Sequence, residues 1–138
     1  MSKDKTIGAL VGLATGDALG TTLEFKPYNS FEPIKDIVGG GPFGLNPGAW
    51  TDDTSMALCL AESLIEKERF DIFDQSEKYL DWFRNGRNSV KGYCFDIGNN
   101  TRSALVSYEN TGNPYYNDSD AAGNGALMRL AQIGRAHV

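Results

Sequence analysis

From Thr6 to Leu19 the apolar residues Ile7, Leu10, Val11, Ala14 and Ala18 recur three and four positions apart, the period of a helix packed on one face. Gly8 and Gly12 are small residues on that face, so the segment reads as a buried helix in close contact with a neighbour. The same period returns at Met56, Cys59, Leu60, Ser63 and Leu64, with polar Glu62, Glu66 and Lys67 opposite, and predicts a second helix beginning at Thr51 or Asp52. Asp74 followed three residues later by Glu77 resembles a capping box, and Tyr79, Leu80, Trp82 and Phe83 then supply apolar bulk until Arg84 and Gly86 stop a third helix. Asn99 or Asn100 can cap a fourth helix through Ala104, Leu105 and Tyr108, and Gly125 through Leu130 predicts the start of a fifth. The pattern is all-helical, without internal repeats.

Two connections break it. About twenty-five residues between Phe25 and Trp50 are rich in Gly and Pro, far beyond the usual length of a connection, and are expected to border a site as a flexible wall or lid. The polar stretch from Asn110 to Gly123 reads as a second surface loop. Within the first, Gly39-x-Gly41-x-x-Gly44 has the letters of a dinucleotide fingerprint, but Pro42 removes an amide donor and Pro47-Gly48 stand where a helix should start.

Composition narrows the classes. With 41% apolar and 22% charged residues over 138 positions, the chain fits one globular domain. Thirteen basic against eighteen acidic residues disfavour a nucleic-acid partner, because such binding needs clustered cations. No segment approaches the roughly 20 apolar residues needed to span a bilayer, so no membrane partner is expected. Cys59 and Cys94 show neither zinc-ligand spacing nor a disulfide framework, which points to a reducing cytoplasm.

Candidate chemistry concentrates at Trp50-Thr51-Asp52-Asp53-Thr54, where two adjacent carboxylates and two hydroxyls open an amphipathic helix. Hard oxygen ligands suit Mg²⁺ or Mn²⁺. Successive helical residues are rotated by about 100°, so Asp52 and Asp53 would each serve a different ion of a close pair. On residue preferences alone, the same five residues also read as an ordinary helix start, with Thr51 as cap and the acids facing the helix dipole.

The ordered set Gly16-Asp17-Ala18-Leu19-Gly20, Glu24, Gly39-Gly40-Gly41-Pro42-Phe43-Gly44, the Asp pair and Gly123-Asn124-Gly125-Ala126-Leu127-Met128-Arg129 resembles the ADP-ribosylglycohydrolase family, particularly its arginine-directed branch. Phe95-Asp96-Ile97-Gly98 and Thr101-Arg102-Ser103-Ala104-Leu105 are in the same style. The resemblance implies a compact all-α domain that hydrolyses the glycosidic bond between ADP-ribose and a protein side chain or small-molecule acceptor. It implies two divalent cations, Mg or Mn, at Thr51, Asp52 and Asp53, and places Glu24 at the metal and scissile bond. Glu24, Asp53 and Asp96 are the candidates for the acid, base and charge-stabilising work that an oxocarbenium-like transition state needs. Gly123, Asn124, Gly125 and Ala126 are the candidates for substrate binding, through backbone N–H groups offered to a phosphate or ribose. Asp17 reads as structural, bonding backbone near the end of the first helix. The alternative is a noncatalytic member of the same superfamily that binds ADP-ribose or serves a structural, crystallin-like role.

Relatives carry a later Asp-x-Asp-Thr motif and a glycine-rich helix, and neither is present here. Residues 1–132 are therefore expected to be the N-terminal part of one domain, incomplete at its C-terminus, with weak metal binding and little turnover of its own. Ile133-Gly134-Arg135-Ala136-His137-Val138 reads like one translated frame of a common sequencing adapter and is expected to be a non-native tail, so His137 is given no role.

Overall fold

The computed structural model describes residues 3–117 and 123–129. The tail expected at 133–138, Leu130 and part of the second loop lie outside them. Four α-helices follow in order: α1 (Lys3–Gly20), α2 (Asp52–Lys67), α3 (Ile72–Asn85) and α4 (Asn99–Thr111), with a short 3-10 turn, Thr21–Leu23, directly after α1. Among the described residues the only β pairing is an isolated bridge between Gly40 and Leu45, so the all-helical reading holds.

The core forms where the apolar faces of α2, α3 and α4 meet. Met56, Cys59 and Leu60 from α2 pack with Tyr79 and Trp82 from α3 and Leu105 from α4, while Leu64, Phe83, Cys94, Ile97 and Met128 close the edges. Full burial of each large apolar side chain contributes roughly 1.5–3 kcal/mol, which makes this seam the main source of stability. Polar ties fix its register. Tyr108 donates its hydroxyl proton to Glu77 Oε1 across 2.6 Å, joining α4 to α3, and Arg87 bridges Glu62 on α2 and Asp81 on α3.

Helix ends differ from the expected ones by a turn or a residue. α3 starts one turn before the expected Asp74, because the Asp71 carboxylate already accepts the Asp74 amide at 3.1 Å. Glu77 is thereby free to bond α4 rather than close a capping box. Neither Asn99 nor Asn100 caps α4: Gly98 holds that position and both asparagines are already helical. Of the expected fifth helix, the described residues 125–129 form a turn in which the Leu127 and Met128 amides both donate to Asn124 O, at 2.7 and 3.2 Å, and its continuation lies outside the described residues.

α1 is helical as expected but is not buried. Ile7 and Val11 are 50% and 56% exposed, and nothing lies within 4 Å of where side chains at Gly8 and Gly12 would begin. The periodicity reports a helix correctly, but apolar residues spread round its whole circumference cannot say which face has a neighbour. Among the described residues α1 packs only on α2 and the 3-10 turn. That one contact, at its C-terminal end, sets the site.

Candidate functional site

The start of α2 is held from outside its own helix. Asp17, in the last turn of α1, accepts the Thr51 amide at 3.0 Å and the Thr51 hydroxyl at 2.8 Å, then the Thr54 amide at 3.1 Å and the Thr54 hydroxyl at 2.6 Å. Thr51 occupies the cap position, yet its side chain caps nothing; its hydroxyl is spent on Asp17. The ordinary-cap reading of this threonine is thus replaced. Asp17 is structural as expected, but the backbone it bonds belongs to α2 rather than to the end of α1. One carboxylate does the work of a cap and orients the pair that follows, Asp52 and Asp53.

Glu24 follows the 3-10 turn and accepts the Thr21 hydroxyl at 3.4 Å. The glycine-rich loop is pressed against this turn. Thr22 donates its hydroxyl proton to Gly39 O at 3.0 Å, and a side chain at Gly41, where φ is +66°, would begin 2.3 Å from Thr21 O. Leu45 is buried, and Lys91 donates to Phe43 O at 2.6 Å from the far side. The loop is anchored at residues 39–45 rather than free, and beyond Phe25 none of it lines the acid cleft, so the expected bordering wall or lid is not what these residues form. Gly41→Ala is expected to lower stability by roughly 2–4 kcal/mol, from a forbidden φ and backbone overlap together, read as a reduced urea midpoint at unchanged slope.

Asp96 sits at φ +58° in the turn before α4, a conformation that aspartate tolerates better than most residues. That turn sends its carboxyl into hydrogen-bonding contact with Glu24. Opposite, Gly123 lies so close to α4 that a side chain on it would begin 2.4 Å from Asn100 Nδ2.

The elements enclose a cleft of 590 Å³ lined by Glu24, Asp52, Asp53 and Asp96 on one side and Gly123, Asn124 and Gly125 on the other. No Lys or Arg lines it among the described residues. Its carboxyls accordingly resist ionisation. Burial, then the charges of Asp96, Asp53 and Asp17, push Asp52 up to about 8. Burial, then the charges of Glu24, Asp53 and Asp17, push Asp96 up to about 7. Burial raises Glu24 and Asp53 as well, and the Asp17 charge adds to both.

Four of the expected site acids thus share one cleft, and two expectations go elsewhere. Thr51 is buried and faces a neighbouring recess with Gly16, Asp17 and Gly20, which Glu24 and Asp53 also border. Ala126 lines a separate cavity between α3 and α4, with Phe70, Tyr79 and Arg129. The turn that follows Asn124 rotates it away from Gly123 and Gly125. Ile97, Asn99, Asn100, Thr101, Met128 and Phe25 also line the cleft and were not singled out from sequence. An asparagine pair ahead of a helix reads as a cap signal, and nothing in a Glu-Phe-Lys stretch announces a rim aromatic.

As metal ligands the acids fit in chemistry: hard anionic oxygens, mutually repelling, with no cation beside them. They do not form a finished cage, since among the described residues no three acidic, cysteine or histidine side chains converge to hold one ion.

Fold and site define a class, an all-helical protein in which a helix start, a 3-10 turn and an aspartate turn bring acids into one glycine-walled cleft. The family model for ADP-ribosylglycohydrolase matches residues 1–138, and the chain belongs to that family. It is 56% identical to the ADP-ribosylarginine hydrolase Tri1 of Serratia proteamaculans over 94% of its length and 36% of that protein's. It is 39% identical to the ADP-ribosyl-[dinitrogen reductase] glycohydrolase of Rhodospirillum rubrum, over 91% of this chain and 42% of that one. A solved chain described as an ADP-ribosylglycohydrolase-related protein complex superposes with a TM-score of 0.80 at 48% identity, covering 94% of this chain and 41% of that chain. The chain therefore spans well under half the length of these relatives.

Proposed function

We propose that this chain supplies the acid cleft of a metal-assisted hydrolase that releases ADP-ribose from an acceptor, with a protein arginine side chain foremost and a small-molecule conjugate as the lesser candidate. The observation that carries the reading is the gathering of Glu24, Asp52, Asp53 and Asp96 in one cleft free of lining cations, in a chain 56% identical to a protein named ADP-ribosylarginine hydrolase. Asp52 and Asp53 would hold a pair of Mg²⁺ or Mn²⁺ ions, with Thr51 on the recess side and the remaining ligands supplied from elsewhere. When bound, such ions supply positive charge and an affinity for vicinal ribose hydroxyls.

The chain's own residues account for the other tasks. Burial raises both Glu24 and Asp96, Asp96 to about 7, and the two carboxyls are neighbours, so the pair is suited to acid and base work side by side. Ionised carboxylates along the same wall stabilise positive charge as it develops at the anomeric carbon. Gly123 and Gly125, without side chains, let a ribose or phosphate approach the backbone. A cytoplasmic setting accords with two free cysteines and with the absence, among the described residues, of a helix long and apolar enough to cross a membrane.

The test is hydrolysis of ADP-ribosylarginine by a polypeptide that carries this segment at the full length of the relatives. Release of ADP-ribose is expected, lost on exhaustive chelation and regained with Mn²⁺ or Mg²⁺. Undiminished release after chelation overturns the metal assignment, and no release with metal present overturns the hydrolase.

A further inference from the structure

Phe25 stands apart from every other aromatic residue around the cleft. It is 76% exposed, and its backbone is held at φ +60°, a left-handed conformation that is costly for a bulky side chain. Burial does not compensate that cost. Phe25 lines the acid cleft directly beside Glu24, and its ring meets the Phe43 ring in a T-shaped contact, centroids 6.2 Å apart at an interplanar angle of 76°, which leaves most of the side chain in solvent. Phe43 is in turn braced by Phe95 at 5.3 Å and by Lys91, which donates to its carbonyl. A strained, solvent-facing ring set in place by a braced partner is a surface prepared for contact.

We propose that Phe25 is a specificity-determining residue that stacks on the planar guanidinium of an arginine acceptor. The inference rests on the hydrolase reading above and deepens it. The cleft combines a row of carboxyl oxygens with an exposed aromatic ring at its rim. That combination attracts a flat, delocalised cation, which can lie on a ring while its N–H groups reach carboxylates. A neutral hydroxyl acceptor gains nothing from either feature, and the ADP-ribose moiety, anionic through its diphosphate, is repelled by the acids unless cations intervene.

Phe25→Leu and Phe25→Trp, made in a polypeptide that carries this segment at the relatives' full length, test the proposal. Leucine keeps apolar bulk and bears a similar backbone cost, so it removes the π face without relieving strain. The Leu variant is expected to raise KM for ADP-ribosylarginine roughly 3- to 30-fold, with kcat and the inhibition constant of free ADP-ribose little changed. Tryptophan is expected to restore KM. An unchanged KM in Phe25→Leu overturns the proposal, as does an ADP-ribose inhibition constant that rises in parallel, because the ring would then serve the nucleotide or the fold. A wild-type polypeptide that releases no ADP-ribose overturns the underlying function, and this inference with it.

Discussion

Asp52→Asn is expected to make the metal-free chain more stable while removing most of the activity of a full-length polypeptide. Burial and three neighbouring acids place the Asp52 pKa at about 8 in the fold, against an ordinary aspartate value of 3.8. Between those values the folded chain holds a proton that the unfolded chain has released. Stability is therefore greatest below the unfolded pKa, falls as pH rises through the window, and levels off above about 8. Asparagine imitates the protonated carboxyl and has no such slope. At pH 8 the variant is expected to gain roughly 3 kcal/mol, at about 1.4 kcal/mol per pKa unit after allowance for water in an open cleft, and to gain nothing near pH 4. Urea midpoints across that range check the sign; a gain that grows toward acid refutes it. The proposed ions reverse the balance, because they bind the ionised form and their affinity rises with pH through the same window. In the full-length setting, Asp52→Asn is expected to lower kcat/KM on the order of 100-fold and to weaken metal affinity measurably by calorimetry.

Asp17→Ala is the most damaging single change expected for the fold. It leaves the amides and hydroxyls of Thr51 and Thr54 without their acceptor, and both threonines are at least 97% buried. Hydrogen bonds to a charged group contribute roughly 1.5–3 kcal/mol each but do not add, and some buried donors would recruit water, so a loss of about 3–5 kcal/mol is expected. Asp17→Asn tests the charge separately. Its amide offers a single acceptor oxygen where the carboxylate offers two, and it is expected to fall between wild type and alanine. Equal urea midpoints for wild type and Asp17→Ala would show that the start of α2 does not depend on α1.

Both changes act at one end of one helix, and that end shows what could be read beforehand. α2 was legible because Met56, Cys59, Leu60 and Ser63 are buried on the face their spacing defines. Glu24, Asp52, Asp53 and Asp96 were each nameable as candidates, and they do meet in one cleft although more than forty positions separate Asp53 from Asp96. Periodicity could not show what α1 leans on, because an all-round apolar helix carries no directional signal. Nor could it show that Asp17 reaches over thirty residues along the chain to Thr51 and Thr54, since a side-chain bond between distant segments leaves no local pattern. Ala126 was grouped with its glycine neighbours, and one turn of chain was enough to rotate it into another cavity. The strained backbone of Phe25 was equally invisible, because phenylalanine is among the residues least expected at positive φ.

The way Asp17 occupies the start of α2 also means that the Trp-Thr-Asp-Asp-Thr string is not a transplantable cassette. A helix start ordinarily comforts acids in its first turn with its own unpaired amides. Here a foreign carboxylate has claimed the amides of Thr51 and Thr54, and the bonds that Asp52 and Asp53 keep to their own amides do not outweigh burial and the neighbouring acid charges, so the pair is left wanting an outside counter-charge. Spliced onto an unrelated scaffold that lacks an aspartate presented from the preceding helix, the five residues would settle into an unremarkable, contentedly ionised terminus, and whatever appetite for cations they possess would stay behind.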